Sequence, residues 1–305
     1  MLENPFASEE TQTEDARPIG AAARLRELLR PGSPIVLAPG AFDSLSARLV
    51  EQAGFPAIYM TGFGATASRL GLPDIGLLTQ TEMTEHARNM VRATSAPIIA
   101  DADTGYGGPS NIHRTVQEYV QAGVAAIHLE DQVAPKRCGQ MAGIQLMEVR
   151  ESVRRVRAAL ASRGREDLLV IARTDALAAT GRDDAVDRAE RYRDAGADLV
   201  FVDGVKTRDE VEFIAQRLEG PKVVSLVDGT DAARLSADEL QEMGFSLALY
   251  AVTGLFAATA AVRAALAELG DTRRVPVSGS AVTYSEYSDI VGLGIHQRLD
   301  VEFGA

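Results

Sequence analysis

Cysteine is scarce: Cys138 stands alone in 305 residues, which excludes an internal disulfide framework and suits a reducing cytoplasm. Basic residues are not in surplus either. The formal net charge is −12, whereas surfaces for nucleic acid or anionic membrane need concentrated Lys and Arg. Neither is expected as a partner. No apolar run reaches the ~18 residues of a bilayer span. The opening Met1-Leu2-Glu3-Asn4-Pro5 lacks the basic and apolar regions of a signal peptide. With 46% hydrophobic and 24% charged residues, the chain has the composition of a soluble cytoplasmic protein with a full core, one large α/β domain or two average ones.

Residues 1–18 are acidic and polar, show no apolar periodicity, and read as a mobile tail. A helix is expected from Ala21 to Leu29, and then a strand–helix alternation runs to the end of the chain. The expected strands are Pro34–Ala38, Ala57–Met60, Ala96–Ala100, Val124–Leu129, Leu168–Ala172, Leu199–Val202, Lys222–Leu226 and Ser246–Tyr250. Helical patterns fill the gaps, among them Ser44–Gln52, Glu82–Arg92, Ile112–Gln121 and Val149–Ala161. Gln-Ala-Gly-Phe, Gln-Ala-Gly-Val, Asp-Ala-Gly-Ala and Glu-Met-Gly-Phe each put Gly after a helix and before a strand, as a helix C-cap requires. Eight apolar strands alternating with helices predict a closed (β/α)8 barrel, with an open sheet carrying extra strands as the runner-up. Nothing marks a boundary before about Gly270. Residues 19–270 read as the barrel and 271–305 as a C-terminal extension, whose helix Ser285–Phe303 packs on the barrel or exchanges with a partner subunit.

In such a barrel chemistry belongs at the C-terminal strand ends. Strand three ends in Asp101-Ala102-Asp103-Thr104-Gly105. Side chains at i and i+2 share one side of extended backbone, so the two carboxylates can converge on one volume. A hard divalent ion such as Mg2+ would relieve their repulsion; a turn-capping Asp pair is the other reading. Strand two ends in Tyr59-Met60-Thr61-Gly62-Phe63-Gly64, whose amides suit an oxyanion or carboxylate. Strand four gives His128-Leu129-Glu130-Asp131, strand five Arg173-Thr174-Asp175, strand six Asp203, and strand seven Ser225 and Asp228. Arg173 cannot lose its charge and needs an anion, either a bound carboxylate or phosphate, or Asp203 or Glu130. Glu130 either supports the metal or pairs with Arg173. His128 reads as a core histidine, and His86 and His113 as surface residues on helices. Lys136 and Arg137 precede Cys138 in a Gly-containing loop, and cations there would lower the thiol pKa and make it a candidate acid, base or nucleophile.

Six segments occur in order: Pro39-Gly40-Ala41-Phe42-Asp43, Gly71-Leu72-Pro73-Asp74, Asp101-Ala102-Asp103-Thr104-Gly105-Tyr106-Gly107, Leu129-Glu130-Asp131-Gln132, Lys136-Arg137-Cys138-Gly139 and Ala172-Arg173-Thr174-Asp175. Together they resemble the isocitrate lyase/phosphoenolpyruvate mutase superfamily from about Arg24 onward, within it the methylisocitrate lyase and dimethylmalate lyase group. The resemblance implies a barrel whose last helix swaps between subunits of a homotetramer built as a dimer of dimers. It implies Mg2+, with Mn2+ as substitute, held by Asp101 and Asp103 and supported by Glu130 and Asp74. It further implies that Thr61, Gly62 and Phe63 grip a 2-oxo acid carboxylate and that Arg173 binds substrate. The Cys138 loop matches a gate whose Cys is the lyases' general acid, and Tyr59 lies beside the metal-bound oxo acid.

The chain departs from the pattern at the substrate's distal end. Gln140 replaces the gate His, Ile144 its second Lys, Asp203 a Glu and Ser225 an Asn. A gate short of basic residues, with Gly139 and Gln140 at its centre, favours a small 2-hydroxy diacid over a tricarboxylate. The expected reaction is Mg2+-dependent cleavage of a 2-methylisocitrate- or 2,3-dimethylmalate-like acid to pyruvate or glyoxylate plus a carboxylic acid. Cys138 is its acid, and Tyr59 or a metal-bound water its base. The alternatives are phosphonomutase-type P–C chemistry, oxaloacetate hydrolysis or decarboxylation, and a binding homologue without turnover.

Overall fold

The computed structural model describes residues 20–164, 168–276 and 281–304; the tail expected over residues 1–18 lies outside them. Eight parallel strands close into a barrel in sequence order, β1 pairing with β8. They are β1 (Val36–Ala41), β2 (Ile58–Met60), β3 (Ile98–Asp101), β4 (Ala126–Glu130), β5 (Leu169–Thr174), β6 (Leu199–Val202), β7 (Lys222–Ser225) and β8 (Leu247–Tyr250). Helix α1 (Ala21–Leu28) precedes β1, and α2 (Ser44–Gln52) follows it. Then come α3 (Gly62–Leu70) and α4 (Gln80–Ala93) after β2, α5 (Pro109–Ala122) after β3, and α6 (Val149–Ser162) after β4. Helices α7 (Ala176–Ala179) and α8 (Arg182–Asp194) follow β5, α9 (Arg208–Arg217) β6, and α10 (Ala237–Glu242) β7. Beyond β8 lie α11 (Thr253–Thr272), α12 (Tyr284–Ile290) and α13 (Leu293–Phe303).

Both faces of the strands are apolar because the lumen is filled and helices cover the outside. Alternation decides which side chain goes where. On β5, Leu169 and Ile171 pack in the lumen, while Val170 and Ala172 meet the helical layer. Continuing that parity, Arg173 comes up on the lumen side at the mouth. The same count runs from Ile99 to Asp101, from Ala126 through His128 to Glu130, from Phe201 to Asp203, and from Val223 to Ser225. The strand-end chemistry is therefore the top layer of the barrel core. At the other end α1 closes the lumen, its Leu25 fully buried beside Leu169 and Leu199.

Three expectations need correction. A second helix, α3, starts directly after β2, where the Gly-rich Gly62-Phe63-Gly64 read as connection. Thr61 caps it by accepting a hydrogen bond from the Gly64 amide at 3.3 Å, an interaction of about 1 kcal/mol. The last helical segment is two helices, α12 and α13, broken at Gly292. His86 is buried rather than superficial, whereas His113 is exposed as expected. The glycine punctuation holds: Gly123 ends α5 in the left-handed region at φ 86°, open to Gly at little cost.

Candidate active site

A cavity of about 140 Å3 opens at the C-terminal strand ends. It is lined by eleven of the expected residues: Tyr59, Thr61, Phe63, Asp74, Asp101, Cys138, Gly139, Gln140, Arg173, Asp203 and Ser225. Gly62 lies beneath the lining, its amide donating to Asp101 Oδ2 at 3.2 Å. A Cβ at Gly62 would collide with that carboxylate, so the approach of α3 to β3 demands glycine.

Asp101 and Asp103 are not related by the extended-chain parity that the sequence suggests. The strand ends at Asp101, and Asp103 takes φ 45°, outside the β region. Its amide instead donates to Asp101 Oδ1 at 2.9 Å. Lys136 bridges the outer carboxylates, with Nζ 2.6 Å from Asp74 and 2.9 Å from Asp103. Burial opposes ionisation of Asp101, but His128, Lys136 and Arg173 together bring its pKa down to about 2. Burial wins at Asp103, raising it to about 6 against the pull of Lys136. It wins at Glu130 as well, whose pKa lies well above the ordinary carboxylate value.

Arg173 realises the salt-bridge reading of the sequence. Its Nη2 lies 2.7 Å from Asp175, 2.6 Å from Asp203 and 3.4 Å from Glu130, with the guanidinium over the Phe201 ring. Six buried carboxylates (Asp74, Asp101, Asp103, Glu130, Asp175 and Asp203) thus surround two buried cations, Lys136 and Arg173. Both Glu130 oxygens lack a hydrogen-bond partner, a costly state for a buried carboxylate. An all-oxygen donor set with uncompensated negative charge fits a hard divalent cation. Among the described residues, no three His, Cys, Asp or Glu side chains gather into a ligand cage. Oxygen donors of this kind suit a hard ion such as Mg2+, which keeps several of its waters when bound.

The Cys138 loop lies directly on this layer. A Cβ on Gly139 would sit 2.7 Å from Asp175 Oδ1 and 2.8 Å from Arg173 Nη2, and closer still to Asp203. Gln132 fastens the loop: its Nε2 donates to the Arg137 carbonyl at 2.8 Å and to Asp175 at 3.1 Å, and its Oε1 accepts from the Arg137 amide at 2.9 Å. The expected acidification of Cys138 does not occur. Lys136 turns away to Asp74 and Asp103, Arg137 is exposed, and burial pushes the thiol up to about 11. Cys138 is a loaded proton donor rather than a standing thiolate.

Sequence reasoning passed over Lys136 and Asp175, although both stood in quoted motifs, as the charge partners of Asp103 and Arg173. It also missed the apolar side of the cavity, Val227, Val252 and Phe256, whose Phe256 meets Phe63 edge-on with centroids 6.3 Å apart. Nothing in the strand pattern points to α11 as a wall.

The phosphoenolpyruvate phosphomutase family model matches residues 25–270. The chain belongs to the phosphoenolpyruvate mutase/isocitrate lyase superfamily. A 2,3-dimethylmalate lyase from Eubacterium barkeri is 41% identical over 276 residues, covering 90% of this chain and 95% of the relative. An oxaloacetate acetylhydrolase structure with 3,3-difluorooxalacetate superposes with a TM-score of 0.89 at 35% identity, covering 94% of this chain and 98% of that one. A phosphonopyruvate hydrolase structure holding oxalate and Mg2+ gives a TM-score of 0.84 at 31% identity, covering 93% and 99%. Members of this superfamily thus share one barrel across several named chemistries.

Proposed function

We propose that this enzyme is a divalent-cation-dependent carbon–carbon lyase, cleaving a 2-hydroxy dicarboxylate to pyruvate or glyoxylate and a second carboxylic acid. The observation that carries the proposal is Cys138, a thiol kept protonated by burial, lining the same cavity as Tyr59, Asp101 and Arg173. Retro-aldol cleavage releases an enediolate that must be quenched by a proton. A donor with pKa about 11 stays loaded at neutral pH. Phosphoryl migration between carbon and oxygen has no such requirement.

A cation held by Asp101 and Asp103, with Glu130 and Asp74 supporting, would supply Lewis-acid stabilisation of the substrate oxygens. Arg173 holds a carboxylate by exchanging one of its three acidic partners for the substrate. Thr61 and Phe63 shape the seat at the start of α3, while the Gly62 amide holds Asp101 from beneath. Burial holds Tyr59 well above the ordinary phenol value, so it acts as a hydrogen-bonding phenol and not as a standing phenolate.

Arg173 is the one cation among the described lining residues, while Gln140 and Ser225 are neutral and Asp203 is acidic. Two substrate carboxylates can be matched by the metal and Arg173; a third would meet none. Phe63, Val227, Val252 and Phe256 suit an alkyl substituent, which supports a dialkylmalate-like substrate over a tricarboxylate. Oxaloacetate hydrolysis is the second reading, favoured by the small cavity.

The test is incubation with Mg2+ and a panel of 2,3-dimethylmalate, 2-methylisocitrate, oxaloacetate and phosphonopyruvate, with 2-oxo acid release as readout. Cleavage of the dialkylmalate is expected, with Cys138→Ser lowering kcat by ~10²-fold or more, the usual worth of a general acid. Full turnover by Cys138→Ser would remove the acid assignment. Consumption of oxaloacetate alone would select the second reading.

Assembly belongs to the same proposal. No described residue of helices α11, α12 and α13 is fully buried. They leave Leu266, Ile295 and Phe303 exposed. A second copy of the chain, exchanging these helices within a dimer-of-dimers tetramer, would cover that surface.

A further inference from the structure

His128 stands behind Tyr59 on the lumen face of β4, wholly buried and edge-on to Phe201, with ring centroids 5.9 Å apart. Its Nε2 lies 2.9 Å from the Tyr59 hydroxyl. Its Nδ1 has no hydrogen-bond partner and faces Asp101 Oδ1 at 3.7 Å. A neutral imidazole carries its proton on one nitrogen only, and the partner of the other nitrogen decides which. With the proton on Nε2, the bare Nδ1 lone pair would face, at 3.7 Å, a carboxylate oxygen that already accepts the Asp103 amide. With the proton on Nδ1, the N–H dipole points at that carboxylate and Nε2 is left to accept. Charge–dipole attraction in a buried setting selects the second arrangement.

We propose that His128 is a positioning residue: held by Asp101 in the Nδ1–H tautomer, it accepts the Tyr59 O–H and so turns the phenol's lone pairs into the cavity. Tyr59 then receives a hydrogen bond from the substrate's 2-hydroxyl instead of donating one. The 2-hydroxyl is thereby oriented toward the phenol oxygen in the bound complex. In the opposite tautomer Tyr59 would donate to that hydroxyl and point its proton elsewhere. This role for the phenol rests on the 2-hydroxy acid reading; the tautomer itself does not.

Nitrogen-15 NMR of histidine-labelled, Mg2+-loaded protein tests the tautomer directly, with the His128 signals assigned by their loss in His128→Gln. Proton coupling on Nδ1 is expected; an Nε2–H pattern overturns the proposal whatever the enzyme cleaves. Kinetics test its consequence. His128→Leu should lower kcat by ~10²-fold with KM within ~3-fold, since misdirected reacting groups cost about that much. His128→Gln, whose amide oxygen reaches the Nε2 position, should restore kcat to within ~10-fold of wild type. Combining His128→Leu with Tyr59→Phe should be no worse than Tyr59→Phe alone, because both remove one interaction. Additive losses, or undiminished turnover by His128→Leu, would overturn it. If His128→Leu does not fold, the NMR measurement decides alone. If no acid on the panel is cleaved while the Nδ1–H pattern is present, the functional reading fails and the tautomer stands.

Discussion

Cys138 shows how far a residue's chemistry depends on where its neighbours point. Two cations beside it in sequence suggested a reactive thiolate, yet Lys136 is committed to Asp74 and Asp103 and burial dominates. A pKa raised from the free value leaves less thiolate at every pH below it. At pH 8, a thiol at about 11 carries ~10²-fold less thiolate than a free cysteine near 8.5. Alkylation by iodoacetamide at pH 8 should therefore be slower than for glutathione by about that factor; equal rates would remove the protonated-thiol assignment. Gly139 makes a second point. Gly139→Ala puts a methyl into Asp203, Asp175 and Arg173, so the loop must stand off. We expect kcat/KM to fall by ~10- to 10²-fold, in line with ångström-scale misplacement at a reacting centre. The thermal midpoint should shift by no more than a few degrees. Residue types at the site were legible because parity carries each strand end into the lumen. Asp103 was not, because one left-handed residue breaks the parity that the reading assumed.

Element by element, the strands were legible and the connections were not. Eight short apolar runs flanked by helical patterns leave few alternatives to a barrel. Their ends moved by a few residues, as β1 does in running on to Ala41, because polar and glycine residues at the mouth still make ladder hydrogen bonds. Helix α3 escaped notice because Gly62 and Gly64 have poor helix propensity. Its register is set instead by Thr61 and by the close approach to Asp101. Thr61→Ala should remove the cap and cost about 1 kcal/mol, a drop of a few degrees in Tm by calorimetry. If α3 seats the substrate as proposed, the same change should raise KM more than it lowers kcat; an unaltered KM would detach α3 from binding.

At the scale of the whole molecule, apolar surface is the unresolved term. Val262, Leu266 and Leu269 of α11 are 56%, 61% and 42% exposed, on a helix that ends the barrel and also walls the cavity through Phe256. The proposed self-association through these helices would therefore touch the site itself. Leu266→Glu should shift the sedimentation profile toward monomer and weaken turnover in parallel, since a loosened α11 unsettles Phe256 against Phe63. An unchanged oligomer would show that α11 is not the contact. The extension was visible in sequence as helical residues left over after the eighth strand. Its break at Gly292 was not, because a single glycine within an apolar pattern does not by itself separate two helices.

The plug formed by α1 has a consequence for traffic. With Leu25 sealing the lower end of the lumen, the barrel is a cup and not a tube. One substrate becomes two products, and both must leave through the single rim where the Cys138 loop lies. Product inhibition then reads the order of release: a product that leaves last competes with the substrate for the empty cup, and one that leaves first does not.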